Sequence, residues 1–561
     1  MGTKTTIQER LTSLSPELAQ SATPPAWPPD AFGLAAVLLL ESGAYLSVVS
    51  EWPLAGLAQD GFLNCAPEEW CDTLEKIGRA WRGSQAWQSS GGASLPAEIG
   101  HWWNVVRSNG HLPLAEISGN KSVFCALLQI CAAADEACYS VGLGEERDAF
   151  GKEAEVELLP DRRTGSTLCK QIDSSKLRVL PKYHTPQTGI TLRSLSLYLA
   201  LDTDFDVTPL WFTGFAPSLT RPKEPWQEEP HSLSLLLIPW PTRVTPKQFM
   251  PAKPSGGRLL NMPDKKFGFF TYRGAPDPGI LGRFRGIYQA ALELTGHIDG
   301  VVLPELALDE SEYEPIRDWV TAQKSFLITG VGTAGEGPEA GKNRVAIEVP
   351  TGKEEEMGKG HRIRAFQYKH HRWRLDRSQI VQYGLGGQLD PERHWWEHIR
   401  AEARHLTFFS LQSWLSVCAL ICEDLARQEP VARLLRAVGP NLVIALLMDG
   451  PQLTSRWPAR YATVLADDPG SSVLTFTSIG MCEFSRPAGK PASRTVALWK
   501  DSLSGETREI DLPVGAEGLV LNLARRLGKE WTADGRSDGG QAGYPALAGV
   551  HPVFVPRPSQ G

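Results

Sequence analysis

Apolar residues recur along this chain with two different spacings, and the change from one to the other falls near residue 230. Ahead of it, helical spacing predicts a short first helix, the Pro-rich connection Ser21–Asp30, a buried helix over Ala31–Ser50 that breaks near Gly43, and another over Ser122–Val141. Trp52, Trp70, Trp81, Trp87, Trp102 and Trp103 sit in this region, as expected of a packed helical module. Thr220–Pro230, rich in Pro and charge, reads as a linker. Beyond it, short apolar runs alternate with amphipathic helices. Strands are expected at Ser232–Pro241, Gly300–Glu305, Ser325–Thr333, Asn343–Pro350, Ser416–Cys422, Asn441–Asp449, Ser472–Gly480, Thr495–Lys500 and Gly518–Leu523. Helices are expected at Leu281–Leu294, Tyr313–Gln323 and Pro391–Leu406. Such alternation predicts an α/β layered domain over 231–525, preceded by a mainly helical domain over 1–230. A Gly- and Pro-rich tail, 526–561, is expected to be loosely docked.

Composition narrows the class of protein. In 561 residues, 42% are apolar, enough for real cores, and a formal net charge of −7 implies neither nucleic acid nor an anionic membrane as partner. Ala31–Leu40, the most apolar early run, is cut by Glu41, Ser42 and Gly43, well short of the roughly 20 residues that cross a bilayer. The first twenty residues lack the apolar core of a signal peptide. Nine cysteines without paired metal spacing read as reduced thiols in a cytoplasmic protein. Lys182, His184, Thr185, Gln187 and Arg193, set among prolines in Leu177–Leu201, predict a rigid polar loop suited to an interdomain contact.

Three residues carry candidate chemistry. Cys422 stands where an apolar strand gives way to a polar helix start, with Glu423 and Asp424 behind it. Backbone N–H groups at such a turn favour a thiolate and hold a developing oxyanion. A lone cysteine is ordinarily inert packing. Two other residues change that balance: Glu305, delivered by Pro304 at the end of another apolar strand, and Lys369, in the aromatic and basic run Phe366–Trp373.

In chain order these read Glu, Lys, Cys, and with strand ends at the first and last they resemble the nitrilase or carbon–nitrogen hydrolase superfamily. The Cys-Glu-Asp around Cys422 is most similar to its glutaminase branch. That resemblance implies a nitrilase-like α-β-β-α sandwich, a homodimer or larger assembly, and no metal or organic cofactor. It also implies a small amide substrate, with Glu305 as base, Cys422 acylated, and Lys369 on the oxyanion helped by the backbone N–H of Glu423. The segment Leu446–Gly480 resembles the family's pocket strand and helix, which makes Met448, Asp449, Trp457 and Arg460 candidate pocket residues. Two features depart from the family pattern. Gln367 and Tyr368 precede the lysine where Tyr and Arg are usual, and Lys359 is the alternative lysine. No second glutamate follows soon after; the acids available are Asp376 and, further on, Glu392 and Glu397.

Two other chemistries compete. His394-Trp-Trp-Glu397-His398 matches H-x-x-E-H, a zinc hydrolase pattern in which two histidines one helical turn apart bind the metal. A catalytically divergent scaffold is the other alternative. Nitrilase-like domains occur beside reverse transcriptases of bacterial antiviral systems, and Leu177–Leu201 resembles such chains, although no Tyr-x-Asp-Asp motif is present. Membrane-bound N-acyltransferases of the superfamily need membrane spans, which this sequence lacks.

Overall fold

In the computed structural model both spacings of the sequence find their expected geometry over most of the chain. It describes residues 5–44, 69–84, 86–87, 94–138, 168–173, 176–181, 199–202, 208–212, 232–252, 266–275, 277–333, 341–350, 362–399, 404–412, 414–528 and 542–556. Trp52, the proline-framed cluster from Lys182 to Arg193, the linker Thr220–Pro230 and Lys359 lie outside the described residues. Two units emerge: residues 1–206 with 434–440 and 527–543, and residues 207–433 with 441–526 and 544–561.

The first unit starts with α1 (Ile7–Leu14), whose Thr6 hydroxyl accepts from Glu9 N while the Glu9 carboxylate accepts from Thr6 N. After α2 (Pro16–Gln20), α3 (Pro28–Ser42) opens on prolines and stops at Gly43, whose φ of 70° suits glycine. These are followed by α4 (Trp70–Ser84), α5 (Ala97–Ser108) and α6 (Lys121–Ala137). Every residue of α6 from Val123 to Ala137 is buried, so this helix is the hub on which α3, α4 and α5 pack. The ends of the expected polar loop form β1 (Arg178–Pro181) and β2 (Leu199–Asp202), an antiparallel pair.

The second unit is a mixed α/β structure with several sheets. One runs β10 (Arg362–Tyr368), β9 (Lys342–Pro350), β8 (Phe326–Thr333), β7 (Gly300–Asp309), β4 (Ser232–Leu237), β19 (Gly518–Gly528), β20 (Ala542–Val553). Another runs β18 (Thr507–Asp511), β17 (Thr495–Lys500), β16 (Ser472–Thr477), β15 (Leu442–Leu447), β14 (Leu415–Ile421), β13 (His405–Gln412), β3 (Thr208–Phe212). A small sheet joins β11 (Arg374–Leu375), β12 (His394–Glu397), β6 (Phe267–Tyr272) and β5 (Phe249–Ala252). The helices of this unit are α7 (Ile280–Thr295), α8 (Glu310–Ala322), α9 (Arg377–Gln382), α11 (Trp457–Asp467) and α12 (Ile479–Phe484); α10 (Arg433–Val438) falls, but for Arg433, in the first unit.

Two-residue alternation decides what each strand face covers. Val301, Leu303, Leu327 and Val331 share a core with Phe284 and Ile287 of α7 and with Ile316 and Val320 of α8. Their neighbours Val302 and Ile328 are just as buried, and β7 meets β15 and β16 while β9 meets β14. On the second sheet α11 lies against β16 and β17. Strands β4, β7 and β8 run parallel, as do β14, β15 and β16, so Cys422 and Met448 follow the carboxyl ends of β14 and β15, while Glu305 sits within β7.

Three expectations are corrected. Pro391–Leu406 is not a helix: it supplies β12 and the start of β13, and burial alternates along β12, with Trp395 and Glu397 buried and His394 exposed. The C-terminal stretch does not trail away; β20 closes the edge of a seven-stranded sheet. The mainly helical stretch expected to reach residue 230 stops short of it, since β3 belongs to the second unit and pairs in parallel with β13. Among the described residues no helix is long and apolar enough to cross a membrane.

Candidate active site

Glu305 is turned into the site by an irregularity in its own strand. The pairing of β7 with β8 slips between Leu303 and Leu308, and Leu306 takes φ 53°, a left-handed conformation costly for a leucine. Gly330 on β8 makes room for it. A Cβ there would stand 2.4 Å from Pro304 O and 2.5 Å from Glu305 Cα, so no side chain fits beneath the bulge.

Around Glu305 a closed set of hydrogen bonds assembles. Its Oε1 accepts from Lys369 Nζ at 2.8 Å and from Asn343 Nδ2 at 2.7 Å, and its Oε2 accepts from Met448 N at 2.7 Å. Lys369 also donates to Glu397 Oε2 at 2.6 Å, and Asn343 to Glu397 Oε1 at 2.8 Å. Trp373 N adds a bond to the same Glu397 Oε2 at 3.1 Å. Lysine and both glutamates are buried. Burial alone would pull the Lys369 ammonium down, but the two carboxylates outweigh it and hold it well above its ordinary range. Glu305 is raised by burial, which Lys369 opposes and Glu397 reinforces.

Cys422 follows β14 and opens a short 3-10 turn over Cys422–Ala426, where a longer helix start is expected from sequence. Its own φ is 43°, so the thiol is presented from a strained, left-handed residue. Burial raises its pKa well above the ordinary thiol value; the Glu305 charge adds to this and Lys369 opposes it. Burial and the Glu305 charge thus work against the thiolate that the turn's backbone N–H groups favour. Among the described residues, the positive φ values outside glycine fall at Leu306, Lys324 and Cys422, two of them at this site.

Asp424 ties the turn to the lysine loop. Its carboxylate accepts from His371 N at 3.0 Å and from His370 N at 3.1 Å, and it meets His371 Nδ1 at 2.8 Å. Gln367 spans the two large sheets, donating to Ala419 O at 2.7 Å and accepting from Thr407 N at 2.8 Å. Nearby, Asp449 accepts from Arg456 Nη2 at 2.7 Å and from Trp457 Nε1 at 3.0 Å. The Glu423 side chain turns to Arg427 at 3.2 Å, and Arg460 is exposed with no part in this cluster.

Asn343 and Gly330 are the residues that sequence reasoning misses, and Glu397 enters it only as a distant acid and as the glutamate of the zinc pattern. For Glu397 a signal exists: read as a strand, His394-Trp-Trp-Glu places Glu397 on the buried face with Trp395. That geometry also corrects the zinc alternative. On a strand His394 and His398 lie about 13 Å apart along the chain, and Glu397 is held by Lys369. No cluster suited to a metal ion occurs among the described residues.

No protein-family model matches the chain, and no curated protein matches it. Solved structures that it resembles are consistently members of the carbon–nitrogen hydrolase superfamily. An amidase from Nesterenkonia sp. is 13% identical, with 52% of this chain and 90% of that one covered, at a TM-score of 0.31. A glutamine-dependent NAD+ synthetase from Acinetobacter baumannii is 11% identical over 52% of this chain and 45% of that one, at 0.30. Saccharomyces cerevisiae Nit3, a nitrilase superfamily member, is 12% identical over 58% and 90%, at 0.28. Scores this low decide nothing about chemistry, which has to come from the side chains themselves.

Proposed function

We propose that this chain is a nitrilase-like carbon–nitrogen hydrolase with an α-β-β-α sandwich, cleaving a non-peptide amide through a thioester at Cys422. One observation supports it above the others: a buried lysine shared by two buried glutamates, beside a cysteine held at a left-handed turn. Glu305 takes the Cys422 proton as sulfur attacks the amide carbon, and Lys369 with the Glu423 N–H stabilises the tetrahedral oxyanion, an effect worth about 3–4 kcal/mol. The C–N bond then breaks, and Glu305 passes its proton to the departing amine. Water, deprotonated by the same carboxylate, adds to the thioester, and the acid leaves as sulfur recovers the proton. Glu397 and Asn343 keep Lys369 and Glu305 aligned throughout.

A thiol whose pKa is raised by burial suits this scheme, since it calls for a base beside it. Intact-mass analysis after incubation with amides tests it. Wild-type protein gains the acyl mass and Cys422→Ala does not; an adduct that persists in the variant refutes the assignment. Ammonia released from glutamine, measured alongside, decides the glutaminase branch.

A further inference from the structure

The small sheet turns only one of its faces to the candidate site. Register sets Phe270, Tyr272, Leu375 and Trp395 on that inner side, where they share a core with Met448. Glu397 points the same way and holds Lys369. Alternation sends the residues between them outward. On the outer side Phe267 lies opposite His394, and Phe269 opposite Trp396, which is itself flanked by Arg374. His394 and Arg374 are exposed, and the three aromatic rings are partly so.

Cations stand over these rings. The Arg374 guanidinium lies 5.8 Å from the Trp396 centroid and reaches His394 Nδ1 at 3.1 Å. That of Arg372 lies 5.3 Å from the Phe269 centroid, steadied by a 2.8 Å bond to Glu397 O. Strands β5, β6, β11 and β12 contain one carboxylate among them, Glu397, and it is turned inward. At the rim Asp390 and Glu392 are engaged by Arg393 and Arg377. A chain with a formal net charge of −7 thus keeps here a face of rings and cations with no acid on its strands.

That composition selects the partner. A second copy of the face would set arginine against arginine, and an acidic protein surface would engage the cations and leave the rings unused. A strand of unpaired nucleotides uses both, its bases stacking on the rings and its phosphates pairing with guanidinium. We propose that the outer face of the small sheet binds single-stranded nucleic acid, with about two or three bases stacked on Phe267, Phe269 and Trp396 and phosphates held by Arg372 and Arg374. Binding there does not require the amide chemistry proposed for Cys422.

Fluorescence anisotropy with labelled oligo(dT) and oligo(U) of about 15 nucleotides tests this on the full-length protein. Single strands are expected to bind with Kd of about 1–100 μM near physiological salt, and a preference between the two tells DNA from RNA as the source. Trp396→Ala weakens binding about 10-fold and Trp396→Phe restores most of it, since stacking needs a ring. Phe267→Ala gives the same reading where circular dichroism finds Trp396→Ala unfolded. Arg374→Gln, at an exposed position, weakens binding and reduces the slope of log K against log salt by about 0.7, the share of one phosphate. No binding of either strand, equal binding of duplex DNA or heparin, or an affinity unmoved by loss of the rings overturns the proposal. Poly-glutamate bound more tightly than the oligonucleotides also overturns it, and makes the face a dock for an acidic protein.

Discussion

Cys138 at the end of α6 and Cys422 at the end of β14 are alike in most respects a sequence can report. Both are buried, and burial raises the pKa of each well above the ordinary thiol value. Their neighbours differ. Around Cys138 stand Asp135, Cys169 and Cys131, all of which push its pKa further up, while Arg82 opposes them. Around Cys422 stand Glu305, able to accept a proton, and Lys369, able to meet a negative oxygen. The carboxyls tell the same story. In the first unit burial drives Asp30 up to about 6 and Glu136 up to about 7, although Asp30 accepts from Lys170 N and Glu136 faces Arg79 and Arg82 at 3.5 and 3.4 Å. In the second, Glu305 and Glu397 share one ammonium at hydrogen-bonding distance. Burial makes a group expensive; an ammonium held between two carboxylates beside a thiol gives that expense a chemical use.

The sharpest way to break this contrast is to exchange the cysteines one at a time. Cys422→Ala is expected to lower kcat by about 10⁴-fold or more, while Cys138→Ala leaves amide turnover unchanged. Comparable losses in the two would end the distinction. Lys369→Met comes next, with a fall of about 10²–10³-fold in kcat and about 3–5 kcal/mol in stability, because two carboxylates are left facing each other without a cation. Steady-state kinetics and denaturant unfolding read the two effects.

Gly330→Ala tests whether backbone placement matters as much as charge. Its new methyl displaces the bulge that carries Glu305, and a shift of about 1 Å costs roughly 10²-fold in kcat. Glu397→Gln sharpens the electrostatic part. Removing its charge takes away one cause of the raised Glu305 pKa, so the acid limb of the pH–rate profile moves to lower pH. An unmoved limb, or one that moves upward, contradicts the coupling.

The smallest effect belongs to Asp30→Asn. Below pH about 4 the native and unfolded carboxyls are both protonated and burial costs nothing. As pH rises to about 6, the folded value, the unfolded chain ionises first and native stability falls by about 2–3 kcal/mol at most, a loss that persists above it. Chemical unfolding should therefore favour the variant more at pH 7.5 than at pH 4.

How much of this is legible in the sequence depends on where each residue's partner comes from. Glu305 and Cys422 stand out because each ends an apolar run of sequence, a pattern carried entirely by local neighbours. Lys369 stands out less, since Phe366–Trp373 mixes aromatics and cations, and the Glu397 that pairs with it lies on a strand of the small sheet. His394-Trp-Trp-Glu-His suits a helical motif as well as a strand, and only its pairing with β6 and β11 selects the strand. Asn343 is visible only once β9 and β10 are in register, when Lys369 N bonds to Asn343 O. Gly330 carries no chemistry at all, and its importance lies in what stands above it. The alternation of strands and helices is readable after residue 230; the strand pairing of β3 with β13 and the edge strand β20 depend on distant partners that no local pattern names.

Asp424 deserves a mechanical consequence of its own. One side chain, seated on the nucleophile's turn, grips two successive amides and a ring nitrogen of the segment that follows the lysine. Whatever jostles either stretch is felt by the other, as two gears on a common axle turn together. A binder that touches only the histidine segment would thus leave its imprint on the sulfur, and inhibition of this protein need not begin in the cleft where the amide sits.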